Sequence, residues 1–159
     1  MRIVVASDSH ANNEILDLIQ HHHPEADLFL HCGDLCEDPE YYPDWIVVQG
    51  NNDYWLDLPP RRILRVGDHR LLMEHSHRCS YFNREKNLVS SAKNLACDIV
   101  CFGHTHASMI RKMDGVFLLN PGSVTFPRDG KPRSYAILDV DKEIHAKIIF
   151  MDENWYAFY

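Results

Sequence analysis

The amino-acid sequence predicts an α/β protein made of two mixed β-sheets packed face to face and flanked by helices. Two observations lead there. Early in the chain, short apolar runs of strand length alternate with amphipathic stretches of helical period. From residue 108 onward the pattern changes to strand pairs separated by turn residues, and hairpins added to alternating strands and helices give mixed sheets.

Residues 2–6 (RIVVA) read as a buried strand. Ile15, Leu16, Leu18 and Ile19 then share one helical face, and Pro24 stops that helix because it has no N–H to continue the ladder. Strands are expected at 27–31, 45–49, 61–66 and 69–74, with Gly67-Asp68 as the hairpin turn between the last two. A second helix over about 84–96 sets Leu88, Ala92 and Leu95 on one face, and strand 98–102 follows. Further strands at about 108–112, 116–119, 134–140 and 144–151 are separated by Asp114-Gly115, Asn120-Pro121-Gly122-Ser123 and Asp129-Gly130. No linker, repeat or low-complexity segment interrupts the chain, so residues 1–159 are expected to form one domain.

Composition excludes several classes. Apolar residues make up 45% and charged residues 25%, ordinary for a globular protein. No stretch approaches the roughly 20 apolar residues of a membrane-spanning helix. The opening MRIVVASDSH reaches Asp8 and His10 too early for a secretory signal. The expectation is a cytoplasmic protein without a membrane partner. Five cysteines, an odd number, suit a reducing compartment. Cys32/Cys36 and Cys97/Cys101 are CxxxC pairs with a structural zinc as their sharper reading; buried small side chains are the preferred one. A net charge of −7 without a basic stripe points away from long nucleic acid and toward a small anionic substrate. His21 to His23 read as a solvated helix end favourable to imidazolium. The tail Trp155-Tyr156-Ala157-Phe158-Tyr159 either seals the core or supports a homo-oligomer.

The chemistry lies in where polar residues fall. Asp8 and His10 follow the first strand, Asp34 the second and Asn51 the third; His75 ends the fifth, and His104 and His106 follow the sixth. Ligands bind beyond the carboxyl ends of strands in open α/β sheets. Five strand ends therefore deliver seven metal-capable side chains to one rim. Gly33, Gly50 and Gly103 precede these donors, as close backbone approach in a tight turn requires.

Asp8-Ser9-His10, Gly33-Asp34, Gly50-Asn51-Asn52-Asp53, His75 and Gly103-His104-Thr105-His106 resemble, in order and spacing, the motifs DxH, GD, GNH[DE], H and GHxH of the calcineurin-like metallophosphoesterase superfamily. The short length and the Asn120-Pro121-Gly122-Ser123 segment look most like its small single-domain prokaryotic phosphodiesterase branch. The resemblance implies a four-layer αββα sandwich. It also implies two divalent metals, the first held by Asp8, His10, Asp34 and His106, the second by Asp34, Asn51, His75 and His104. Asp34 would bridge with its two oxygens. Imidazole with oxygen donors suits transition metals, manganese foremost, with iron, zinc, cobalt and nickel as alternatives. Such a pair, about 3.5–4 Å apart, activates a hydroxide and clamps the phosphoryl oxygens of a small phosphate ester. In that reading Asp34, Asn51, His75 and His77 serve catalysis. Asn52, Asp53, Ser76 and Arg78 support the metals or the substrate, with Asp53 expected to orient a metal-bound histidine or its partner.

Two positions depart from the pattern. Asn52 stands where the family supplies a histidine that protonates the leaving oxygen, so esters with acidic leaving groups are expected to react best. Ser76 replaces a glycine between His75 and His77, which leaves His77 to meet phosphate or to donate the proton. Two alternatives remain. One is a non-catalytic protein-interaction scaffold, since the eukaryotic retromer complex contains a subunit of this fold. The other is a nucleotide phosphodiesterase or nuclease of the same superfamily.

Overall fold

The computed structural model describes residues 1–157. Along it run β1 (Arg2–Ala6), α1 (Glu14–His22), β2 (Leu28–His31), β3 (Trp45–Val47), β4 (Arg61–Val66), β5 (His69–Glu74), α2 (Arg84–Asn94), β6 (Ile99–Phe102), β7 (Ser108–Met113), β8 (Val116–Pro121), β9 (Ser134–Val140), β10 (Ile144–Phe150) and α3 (Glu153–Tyr156).

The first strand sorts its side chains into two cores. Ile3 and Val5 enter one buried cluster, Val4 and Ala6 another, because successive residues of a strand face opposite ways. A strand apolar on both faces needs a cover on each. One face of its sheet takes Ile15, Leu16 and Ile19 of α1. The other meets Leu71 and Met73 of β5, Ile99 and Cys101 of β6 and Leu119 of β8. Leu72, between Leu71 and Met73, points outward to Leu88, Val89 and Ala92 of α2. The layers therefore run α1, sheet, sheet, α2. Burying each of these large aliphatic side chains contributes about 1.5–3 kcal/mol.

Both sheets are mixed and five-stranded, in the orders β10-β9-β1-β2-β3 and β4-β5-β6-β8-β7. β1, β2 and β3 pair in parallel, as do β5, β6 and β8. Their carboxyl ends consequently gather along one rim. The antiparallel pairings are β4–β5, β7–β8, β9–β10 and β1–β9. Asp114 and Gly115 join β7 to β8 with φ of 49° and 82°, the left-handed pair of a hairpin turn whose twist matches its strands.

Three expectations are refined or corrected. His22 and His23 do not form a solvated helix end: the His22 ring stacks on Trp155 at 4.4 Å, and His23 Nε2 lies 2.7 Å from the Tyr135 hydroxyl. Packing against an aromatic pair outweighs the dipole argument there. Trp155 itself is buried and donates its indole N–H to Tyr135 at 3.1 Å, so this part of the tail seals the core; Phe158 and Tyr159 lie outside the described residues. All five thiols are free, and Cys32, Cys97 and Cys101 sit inside apolar clusters. Burial pushes the Cys101 thiol far up, as expected of a small core side chain.

Candidate metal centre

Three of the five strand ends turn sharply where they release their donors. Asp8, His10, Asp34, His104 and His106 all sit in left-handed backbone, with φ between 47° and 75°. Non-glycine residues there cost about 1–3 kcal/mol each and gather at functional sites. The glycines are required by contact. A Cβ on Gly50 would lie 2.1 Å from Asp34 Oδ1, one on Gly33 2.6 Å from His75 Nδ1, and one on Gly103 2.0 Å from Ser7 Oγ.

The seven side chains meet in one cleft. His106 Nε2 lies 3.2 Å from Asp8 Oδ1, and His10 Nε2 lies 3.3 Å from His106 Nε2 and 3.6 Å from Asp34 Oδ2. On the other side His75 Nε2 is 3.4 Å from Asp34 Oδ2, 3.7 Å from Asp8 Oδ1 and 3.0 Å from Asn51 Oδ1. His104 Nδ1 reaches the same Asn51 oxygen at 3.1 Å. Asp8, Asp34, His75 and His106 form the buried floor, while Asn51 is exposed and His104 partly so. The cleft therefore opens on the Asn51–His104 side.

Two rings are locked from behind. His75 Nδ1 donates to the Cys32 carbonyl at 2.7 Å, and His106 Nδ1 to the Phe126 carbonyl at 2.6 Å. Each then presents the Nε2 lone pair to the cleft, the tautomer a metal ligand needs. Asp8 Oδ1, meanwhile, is buried without a hydrogen-bond partner. Its other oxygen takes the Ser7 hydroxyl at 2.6 Å and the His104 amide at 3.0 Å. A buried carboxylate oxygen among imidazole nitrogens is costly unless positive charge, on a ring or on a bound cation, lies among them.

The electrostatics agree. Burial works to raise the Asp8 carboxyl, but His106, His75 and Ser7 outweigh it and hold it below its ordinary value. Asp34 is likewise held well down by His75 and Asn52 against the effect of burial. Burial works to lower His75 and His106; Asp34 and Asp8 override this and raise both. His104 lacks such a carboxylate contact. Desolvation, then the charges of His75 and Arg84, push it down to about 4. Two buried acids surrounded by nitrogen bases make a site that demands positive charge, and these residues fit a divalent cation.

The supporting residues act differently from expectation in part. Of the two roles expected of Asp53, it takes the second, holding the loop of Asp34, the partner of His75, rather than a histidine ring. Its carboxylate accepts backbone N–H groups, from Asp34 at 2.7 Å, Gly50 at 2.8 Å and Cys36 at 2.7 Å. Asn52 turns onto Asp34, donating its amide N–H to Oδ1 and its side chain to Oδ2, both at 2.9 Å. Ser76 is buried at φ 78° and donates to the Gly103 carbonyl at 3.1 Å, tying the β5 and β6 loops together. Arg78 is exposed and lines, with His75 and His77, a side cavity of about 300 Å³. The His77 ring lies 5.5 Å from that of His75 and 6.2 Å from that of His104, with its buried Nδ1 unpartnered.

Two supports went unread in the sequence. Ser123 Oγ donates to the Asp8 carbonyl at 2.8 Å, Thr125 Oγ1 to the Ser9 carbonyl at 2.9 Å, and Asn120 Nδ2 to Thr105 Oγ1 at 3.0 Å. The segment after β8 thus clamps two donor loops. Beneath the cleft His31 is fully buried, its Nδ1 accepting the Gly33 amide at 3.2 Å and its Nε2 meeting Ser9 Oγ at 2.9 Å. The only available signal was a run of small polar residues in the first case and a histidine ending an apolar strand in the second.

Comparison with known proteins agrees with this geometry. Residues 1–143 match the family model described as calcineurin-like phosphoesterase superfamily domain. "Probable metallophosphoesterase YsnB" of Bacillus subtilis is 34% identical over 157 residues, spanning 96% of this chain and 92% of that protein. A crystal structure of a conserved Streptococcus pneumoniae protein, a predicted phosphoesterase, superposes with a TM-score of 0.87 at 25% identity, covering 94% of this chain and 88% of that one. Chaetomium thermophilum Vps29 shares the fold at a TM-score of 0.78 and 22% identity, over 97% and 90% of the two chains. The chain belongs to the calcineurin-like phosphoesterase superfamily and is a metal-dependent phosphoric ester hydrolase of that family.

Proposed function

We propose that this enzyme is a binuclear phosphodiesterase acting on a small phosphate ester. Asp8, His10, Asp34 and His106 hold one divalent ion; Asp34, Asn51, His75 and His104 hold the other. The observation that carries this reading is Asp8 Oδ1, buried, without a hydrogen bond, and 3.2 Å from a histidine nitrogen whose ring is fixed from behind. Bound ions of this kind supply a nucleophile at neutral pH and neutralise the phosphoryl oxygens. The chain's own residues do the rest. Asp53 and Asn52 hold Asp34 in place, Ser76 couples the His75 and His104 loops, and the open Asn51–His104 side admits substrate. His77 stands beside both His75 and His104, where it can meet phosphate, while Asn52 is committed to Asp34.

Manganese is the proposed metal, and the cytoplasm, which keeps thiols reduced, the proposed compartment. No described helix is long and apolar enough to cross a membrane. The test is metal analysis of protein purified without chelator, with turnover of bis(p-nitrophenyl) phosphate across added Mn, Zn, Fe, Co and Ni. About two ions per chain and metal-dependent turnover, both lost in His104→Ala and Asp34→Asn, are expected. A folded wild type that binds no metal and turns over nothing would instead support the interaction-scaffold alternative.

A further inference from the structure

The turn before α2 carries two aromatic rings that the catalytic reading leaves unused. Tyr81 is 79% exposed and Phe82 90%, and the two stand side by side rather than singly. Their rings stand edge to face, 5.2 Å apart and 88° to one another, forming an angled aromatic wall. The wall borders a cavity of about 490 Å³ lined also by Arg84, Phe102, Thr105 and Met109. That volume falls within the roughly 300–1,000 Å³ of small-molecule sites.

Two features connect this cavity to the metal centre. Thr105 lies between His104 and His106 in the chain, so the cavity wall is the same loop that carries two candidate donors. Arg84 has no ion pair among the described residues; its Nε is buried without a partner, and its charge is felt at the His104 ring. An unpaired guanidinium at the edge of a phosphate site is complementary to a phosphodiester anion. The cavity beside His75, by contrast, holds the Arg61–Glu74 ion pair at 2.7 Å and carries neither Tyr nor Phe.

Resting on the phosphodiesterase reading, we propose that the Tyr81–Phe82–Arg84 cavity is the subsite for the ester group that remains on phosphorus, and that this group carries a flat ring, as a nucleoside does. The ring stacks on the aromatic wall, and Arg84 meets the phosphate between the wall and the metal centre. Aromatic faces accept any base, so the subsite selects for a ring rather than for one particular base.

Two measurements test this. The first compares kcat/KM for thymidine 5′-(p-nitrophenyl phosphate) and methyl p-nitrophenyl phosphate, which share a leaving group and differ only in the retained one. The metal-loaded wild type is expected to favour the thymidine ester about tenfold or more, the range one stacked base supplies. Tyr81→Ala/Phe82→Ala should bring that ratio close to one through KM, while Phe150→Ala, on the β10 edge, should leave it unchanged. A wild-type ratio near one, or a preference that survives the double variant, overturns the subsite. The second is a calorimetric titration of metal-free protein with thymidine 5′-phosphate, expected to bind wild type and not the double variant, with methyl phosphate giving no signal. Loss of turnover on both esters with this binding intact overturns the phosphoesterase reading and leaves the subsite standing. Turnover of both esters with no ring-dependent effect in either measurement does the reverse, and assigns the aromatic turn to a macromolecular contact instead.

Discussion

Asp53 Oδ2 accepts the backbone N–H of Asp34 at 2.7 Å, so one fully buried carboxylate sets the position of another. Because Asp53 also takes the amides of Gly50 and Cys36, it fastens the β2 and β3 loops together. Asp53→Ala strands the buried Asp34 and Gly50 amides, each worth about 1–3 kcal/mol, and the partly buried Cys36 amide. The expected result is at least about 3 kcal/mol lost in urea unfolding and manganese affinity weaker by roughly 10- to 100-fold, as for other lost outer supports. Unchanged manganese affinity by calorimetry would mean that Asp34 finds its place without this tether.

Gly50→Ala should be as damaging as losing a donor. Its Cβ would sit 2.1 Å from Asp34 Oδ1 and 2.3 Å from the Asp34 amide nitrogen, and backbone cannot yield as the end of a flexible side chain does. Phosphodiester turnover is expected to fall by at least about 10², the order a 1 Å misplacement costs. Gly67→Ala, with open space around its Cβ, should pay only for its φ of +62° and keep activity.

Asn52 donates twice to Asp34 and offers no proton to a leaving group. Rates should therefore depend steeply on leaving-group pKa, with aryl esters far ahead of alkyl esters. Asn52→His is expected to raise alkyl ester turnover by up to about 10² while changing p-nitrophenyl esters little, general acids being worth roughly 10²–10⁴. A flat plot of log kcat against leaving-group pKa in wild type would show that a proton donor is already in place.

His31 makes stability fall with acid. Burial, partly offset by Asp8 and Asp53, lowers it from 6.5 to about 4, so the folded protein keeps it neutral while the unfolded chain protonates below 6.5. Unfolded chain then binds more protons, and stability drops as pH falls from 6.5 to about 4 and levels off below that. The window is worth roughly 3 kcal/mol. In metal-free protein, the loss of unfolding free energy between pH 7.5 and 4.5 should be smaller by about 2 kcal/mol in His31→Gln than in wild type. Equal losses in the two proteins would place the acid sensitivity elsewhere.

The layers and the rim were readable because each rests on a local rule. Strand runs such as 2–6 and 69–74 declare themselves by length and apolar content, and a donor just past a strand end inherits its position from the sheet. What stayed hidden depends on contacts between distant segments. Nothing near Ser123 says that it will meet the Asp8 carbonyl, 115 residues away, and nothing near His22 foretells Trp155. Asp53 was singled out as a support, but whether it would hold rings or amides turns on the backbone path of the 33–36 loop. The single helical turn of α3 and the short 3₁₀ turn at Pro39–Tyr41 are too brief to show a period.

The left-handed turns at Asp8, His10, Asp34, His104 and His106 restrict which side chains the cleft can present. Among side chains that bind cations, aspartate, asparagine and histidine are the ones that visit this backbone region readily. Glutamate and threonine would strain it. Chain geometry thereby selects a short alphabet of imidazole and compact oxygen groups for the donor loops. The donor set is written into the loops before any cation arrives.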